Sequence, residues 1–195
     1  MPIYTLITGV NGVGKSSLTG ILKSIYINLG YIINVDKMTL ENKGDAVAAG
    51  KKAVETIDDL ISKRISFTQE TTLSGHFIKK TILAARSCVY SVRMFYVGLN
   101  TCEECKQRIK NRVEKGGHPI DEADIERRFN KRFIDLLAIL PYCNEARFFD
   151  NENGFIEVGE YKNGEIIAKN DYRPMWFDKL IMQGRDHNNK IGDTA

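Results

Sequence analysis

Gly9-Val10-Asn11-Gly12-Val13-Gly14-Lys15-Ser16 satisfies every fixed position of the pattern G-x-x-x-x-G-K-[ST]. Glycines at these places let the backbone curl until successive N–H groups face one concavity, and a helix starting at the loop's end adds the positive end of its dipole. That is chemistry for a triphosphate. Asn11, Gly12, Val13, Gly14, Lys15, Ser16 and Ser17 are the expected nucleotide contacts. Lys15 is placed to reach the terminal phosphates, and the Ser16 hydroxyl to hold Mg2+. A chance match in a glycine-bearing turn is the competing reading, and context argues against it. The run Ile3 to Thr8 reads as a strand immediately before the loop, and Leu18, Ile21, Leu22, Ile25 and Leu29 recur at helical spacing after it.

Those residues need elements to hold them. Tyr31 to Val35 reads as a second strand ending at Asp36, with Gly30 closing the first helix. An amphipathic helix is expected from Ala46 to Lys63, a third strand over Ile65 to Gln69 ending in Glu70-Thr71-Thr72, and a helix from Phe77 to Val89. Ser91 to Leu99 is the fourth strand. Thr101 and Glu104 form a capping box that opens a helix running to Lys115, stopped by Gly116-Gly117. A long helix is expected from Asp121 to Leu140, and a short fifth strand from Ala146 to Asp150. Asn163-Gly164, flanked by Phe155 to Tyr161 and Glu165 to Ala168, is a hairpin signal. A short helix near Met175 to Met182 follows, and Arg185 to Ala195 is polar and expected to fray.

Alternating strands and helices imply an α/β fold with a parallel sheet and right-handed crossovers. The expected architecture is a three-layer phosphate-loop NTPase: a five-stranded parallel sheet flanked by helices, a helical lid over 101–140, and a small C-terminal hairpin and helix over 155–184. One domain spans 1–195. Ligands of such sheets bind beyond the carboxyl ends of the strands. Attention therefore falls on Asp36, on Glu70 to Ser74 and on Asn100.

Composition narrows the class. The chain has 195 residues, 43% hydrophobic and 27% charged, as ordinary soluble domains have. A net charge of +3 is too small to argue for nucleic acid as the primary partner. No stretch approaches the roughly 18 unbroken apolar residues of a membrane span, and the N-terminus lacks a basic leader, so a cytoplasmic protein without a membrane partner is expected. Cys102 and Cys105 form a C-x-x-C, yet no second pair exists for zinc. With Ile109 and Val113 they share helical spacing and read as buried small residues. His76 reads as a polar residue near a helix start.

Among phosphate-loop proteins, a motor or transporter ATPase wants an apolar strand ending in Asp. The third strand ends Gln69-Glu70 and the fourth ends Gly98-Leu99-Asn100. A GTPase wants Asn-Lys-x-Asp, which is absent. A small-molecule kinase remains. Arg108 and Arg112 lie one turn apart, and Arg127, Arg128 and Arg132 follow across the glycine turn, as in a lid closing over phosphates. Arginine's planar fork suits that role. Arg108, Lys110 and Lys131 also fit a solvated face.

Gly9 to Ser17, the strand-end Asp36, Glu70-Thr71-Thr72-Leu73-Ser74, Arg112 to Ile120 with its Gly-Gly-His, and Arg127-Arg128-Phe129 resemble the zeta-toxin-like kinases, over roughly residues 1–150. The resemblance implies ATP and Mg2+ as cofactors, with Lys15 as the phosphate-loop lysine and Ser16 as the metal ligand. It implies Asp36 as general base, Glu70 and Thr72 as substrate contacts, and Arg112 and Arg128 as phosphate clamps. The best-known members phosphorylate a sugar hydroxyl of UDP-N-acetylglucosamine, and an antitoxin protein becomes a candidate partner. Two departures bear on the acceptor: the arginine segment is spaced differently from that of the toxins proper, and the C-terminal hairpin stands where larger toxins contact the sugar nucleotide.

From the residues themselves, Asp36 is either the base, a helix N-cap or part of the magnesium shell. Glu70 is an acceptor-binding carboxylate or a solvated turn residue. Thr72 and Ser74 suit a hydrogen-bonding shelf for a polyhydroxylated substrate, and His118 either touches substrate or shapes the lid. The expected activity is γ-phosphate transfer to an alcohol of a small molecule. The alternatives are a nucleotide-dependent toxin core or switch acting through a protein partner, and a polynucleotide end kinase.

Overall fold

The computed structural model describes residues 1–25, 27–41, 44–75 and 77–192, with the side chains of 36, 40, 41, 46 and 187–192 outside that description. Its centre is β1 (Ile3–Thr8), buried along almost its whole length as a strand covered on both faces must be. β1 pairs in parallel with β3 (Phe67–Thr71) on one side and β4 (Ser91–Gly98) on the other. β2 (Tyr31–Ile33) lies outside β3, and β5 (Glu145–Asp150) outside β4, both also parallel.

The sheet does not stop there. β6 (Ile156–Lys162) pairs antiparallel with β5, and β7 (Glu165–Ala168) with β6, giving one mixed sheet in the order β2-β3-β1-β4-β5-β6-β7. The expectation of a five-stranded parallel sheet with a separate hairpin is corrected to a mixed sheet of seven strands. Asn163 and Gly164 both adopt positive φ, 54° and 85°, as a two-residue hairpin turn matched to strand twist requires. Because β5 offers an open edge, the hairpin extends the sheet.

Helices cover both faces. α1 (Lys15–Ser24) follows the loop, then α2 (Val35–Glu41), α3 (Ala46–Ser62) and α4 (Phe77–Ser87). α5 (Cys102–Glu114) starts at the expected capping box between Thr101 and Glu104. α6 (Glu122–Ile139) is capped by Asp121, whose carboxylate accepts from the Ala123 and Asp124 N–H groups at 2.8 and 3.4 Å. α7 (Met175–Gly192) closes the described chain. The tail expected to fray over Arg185 to Ala195 continues this helix as far as Gly192, and 193–195 lie outside the described residues. Trp176, Phe177, Leu180 and Ile181 are buried and anchor its first half.

Strand alternation feeds two cores. Tyr4, Leu6, Val92, Met94 and Tyr96 pack on one face with α3, α4 and α7, while Ile7, Phe95 and Val97 pack on the other with α1 and α5. α6 serves both. Ile125 and Phe129 belong to the second core and Phe133, Leu136 and Leu137 to the first, so this helix crosses the carboxyl end of the sheet. Three features differ at the second strand. β2 ends at Ile33, Asn34 takes the strand-end position, and Asp36 falls in the first turn of α2. Asn34 Oδ1 accepts from the Lys37 N–H at 3.0 Å, the hydrogen bond of an N-cap. The cap considered for Asp36 thus belongs to Asn34.

Candidate active site

The phosphate loop joins β1 to α1. Gly12 and Gly14 have φ of 86° and 97°, a left-handed backbone that side-chain-bearing residues avoid. Space demands glycine as well. A Cβ on Gly12 would fall on the Cys105 carbonyl of α5, and one on Gly14 would lie 2.5 Å from Asn151 Nδ2. Gly14 occupies the N-cap position of α1 with no side-chain cap, which leaves the first N–H groups of the helix to an anion. Lys15 Nζ donates to the carbonyls of Gly9 and Val10 at 2.9 and 3.0 Å.

Glu70 stands at the tip of β3 opposite Ile7 of β1. Its carboxylate accepts from Ser16 Oγ at 2.7 Å, Thr19 Oγ1 at 2.7 Å and Asn34 Nδ2 at 2.8 Å. The sequence reading put this carboxylate on the acceptor or in solvent. Its three partners put it beside the hydroxyl expected to hold the metal. Thr19 and Asn34 were missed, although Thr19 lies one helical turn beyond Lys15 and its type could have been noticed.

Arg112 and Arg108 line the same cavity as the loop. A space of about 300 Å³ is bounded by Asn11, Lys15, Ser16, Glu70, Arg108 and Arg112, among others. An adjoining space of about 500 Å³ shares Arg108 and Arg112 and adds Asn111, Lys115, Gly116 and Gly117. Arg108 is corrected from a solvated-face residue to a cavity residue, because it donates to the Asn151 carbonyl at 2.6 Å and is half-buried. Asn151 in turn donates from Nδ2 to the Val13 carbonyl at 2.8 Å. This brace between β5 and the loop had no sequence signal.

Arg112 donates to the backbone carbonyl of His118 at 2.7 Å, and the His118 side chain is exposed. Arg128 donates to Asn11 Oδ1 at 2.7 Å. Thr72 and Ser74 pair their hydroxyls at 2.7 Å across Leu73, a buried residue with φ of 62°. Val13 and Ser17 sit in the loop and first turn as expected. The Asp36 side chain lies outside the described residues, as does His76.

Cys102 and Cys105 are both free. Burial pushes the Cys105 thiol up to about 12 and raises Cys102 as well, so both stay protonated and act as packing groups. Among the described residues no cluster of three His, Cys, Asp or Glu could hold a metal unaided. Hard oxygens at Ser16 and Glu70 nevertheless suit Mg2+, which takes one or two protein ligands and completes its shell with phosphate and water.

No family profile matches the chain. An uncharacterised protein of Haemophilus influenzae is 34% identical over 127 residues, 62% of this chain and 88% of that one. Among solved structures, one from the PezAT chromosomal toxin–antitoxin system of Streptococcus pneumoniae matches with a TM-score of 0.62 at 15% identity, over 97% of this chain and 87% of that chain. The AvrRxo1-ORF1:-ORF2 complex with ATP matches with a TM-score of 0.67 at 15% identity, over 93% of this chain and 64% of that one. No helix among the described residues is long and apolar enough to cross a membrane. The chain belongs to one family with the Haemophilus influenzae protein, and it shares the fold of the PezAT and AvrRxo1-ORF1:-ORF2 structures, the fold that the resemblance to zeta-toxin-like proteins implies.

Proposed function

We propose that the protein is an ATP- and Mg2+-dependent kinase that transfers the γ-phosphate to a hydroxyl of a small molecule, with UDP-N-acetylglucosamine as the first acceptor to try. The observation that carries this reading is the grip of Ser16, Thr19 and Asn34 on the Glu70 carboxylate beside the Lys15 loop. The Ser16 hydroxyl and the Glu70 carboxylate would hold a magnesium ion there. When bound, the metal supplies neutralisation of charge on the β- and γ-phosphates.

The protein's own groups do the rest. The loop N–H groups and the α1 N-terminus orient the triphosphate, and Lys15 is proposed to exchange its loop carbonyls for phosphate oxygens. Arg108 and Arg112 face the same cavity from α5 and are proposed to stabilise charge as the γ-phosphoryl leaves. Asp36, one residue into α2 at the carboxyl end of β2, is proposed to accept the proton of the attacking alcohol. Thr72, Ser74 and His118 are proposed acceptor contacts, and Arg128 a clamp acting through Asn11. By the same reading an antitoxin-like protein is a proposed partner.

The test is incubation of the purified protein with γ-labelled ATP, Mg2+ and a panel of nucleotide sugars and free sugars. The expected result is a labelled, phosphorylated product from one of them. Hydrolysis of ATP that ignores every hydroxyl compound and rises only with a protein partner would replace the kinase with a switch.

A further inference from the structure

β7 forms one outer edge of the sheet, with no strand beyond it among the described residues. In an antiparallel ladder, successive residues turn their backbone N–H and C=O groups to opposite sides of the strand. Lys169, just past β7, donates its N–H to the Val158 carbonyl of β6 at 3.1 Å. Lys169, Ile167 and Glu165 therefore turn their backbone groups inward to β6, and Ile166 and Ala168 turn theirs outward to the open edge. Side chains alternate too. Ile166 and Ala168 pack on the first core, which leaves Glu165, Ile167 and Lys169 on the other face, where Ile167 is 43% exposed. Lys169 Nζ lies 2.8 Å from Glu157 and 3.7 Å from Glu160 within the hairpin, and its side chain remains 41% exposed.

Glu165-Ile166-Ile167-Ala168-Lys169 is complementary to its own reverse. A second copy laid antiparallel along this edge and centred on Ile167 brings the two Ile167 side chains together. It sets each Glu165 opposite a Lys169, and each Ile166 opposite an Ala168. Backbone and side chains select the same register. The outward N–H and C=O groups belong to Ile166 and Ala168, the residues this register makes hydrogen-bonded pairs. The Ile167 pair and the Glu165–Lys169 pairs fall at the non-hydrogen-bonded positions, where opposing side chains come closest. A shift of one residue would turn outward groups toward inward ones. A shift of two would put Glu165 or Lys169 opposite Ile167. β2, the other edge, is Tyr31–Ile33 and has no charged residue to fix a register.

We propose that β7 is a self-association edge, through which two copies of this chain pair over 165–169 about a two-fold axis at Ile167 and join their sheets into one. The axis stands perpendicular to the sheet, so α7 of both copies lies on the same face of the joined sheet. Three strands separate β7 from β1, and the nucleotide site stays open in the dimer. The contact is small, which makes the dimer weak and reversible. The inference does not depend on the kinase reading.

The test is sedimentation velocity on the full chain from about 1 μM to 1 mM, the range in which a weak specific contact is populated. The expected result is a reversible rise from monomer to dimer. Ala168→Pro removes an outward N–H and no bond to β6, a substitution that edge strands accept. It is expected to weaken the dimer about tenfold or more. Glu165→Lys and Lys169→Glu each place like charges opposite one another at both ends of the contact, and each is expected to weaken it by about as much. An equimolar mixture of those two variants restores opposite charges at both positions and is expected to dimerise nearly as the wild type does. Folding damage in either variant would not produce that recovery. A wild-type chain that stays monomeric over the whole range, a dimer undiminished by Ala168→Pro, or a mixture no heavier than its separate components overturns the proposal. Should Lys169→Glu fail to fold without its bridge to Glu157, the wild-type and Ala168→Pro arms decide.

Discussion

Glu70 carries more of this site than any residue outside the loop. Three donors converge on one carboxylate at 2.7–2.8 Å, and they come from α1 and from the end of β2. Glu70→Gln keeps the shape and removes the charge. It is expected to lower Mg2+ affinity or Mg2+-dependent turnover by about 10–100-fold, the usual effect of disturbing a metal's supporting shell. Magnesium titration of the rate is the measurement, and an unchanged Mg2+ midpoint and turnover would separate Glu70 from the metal. Asp36→Asn is expected to leave ATP affinity intact and slow transfer by about 10²–10⁴-fold, the range of general-base assistance. Single-turnover rates against nucleotide Kd distinguish the two effects. Wild-type transfer in that variant would remove Asp36 from the chemistry.

Elements set how firmly these residues are presented. α5 brings Arg108 and Arg112 to the cavity and begins at the Thr101–Glu104 box, where the Glu104 N–H donates to Thr101 Oγ1 at 3.2 Å. Thr101→Ala removes that cap. The expected loss is about 1 kcal/mol, a fall in Tm of about 2–4 °C by differential scanning calorimetry. On the hairpin side, burial by itself would raise the Glu157 carboxyl, but hydrogen bonds from Arg147 and Lys169 overcome it and hold the group below its ordinary value. A carboxylate lowered by folding contributes stability that is present above its unfolded pKa and is lost as pH falls through the folded one. Glu157 is partly exposed, so the contribution is modest. The Tm of Glu157→Gln is expected to trail the wild type near neutrality and converge with it below about pH 4. A constant gap at all pH values would show that packing, not charge, is what Glu157 provides.

At the scale of the whole molecule, the C-terminal segment locks the carboxyl end of the sheet. Trp176 is 1% exposed, packs against Gly98 where any Cβ would clash, and donates from Nε1 to the fully buried Asp150 at 2.7 Å. Asp150 precedes Asn151, which braces the phosphate loop through Val13. Trp176→Ala is expected to cost about 3–5 kcal/mol of stability in chemical denaturation and to weaken nucleotide binding in the fraction that stays folded. A stability loss without any change in nucleotide Kd would mean that α7 and the loop are energetically separate.

What the sequence determined by itself is local. Eight consecutive residues, Gly9 to Ser16, dictate a left-handed curl and a set of inward N–H groups through their own torsional freedom, so loop, strand and following helix were readable from one stretch. The capping box and the Asn163-Gly164 turn were legible for the same reason. Only the tertiary structure decided which distant residues meet. Glu70 reaches Ser16 across 54 positions because β3 lies beside β1, and Arg108 faces the cavity because the residue just after β5 offers the Asn151 carbonyl. The hairpin joined the sheet because β5 would otherwise have exposed an unpaired edge. Strand order and register are properties of the packed sheet, and no spacing along the chain encodes them one residue at a time.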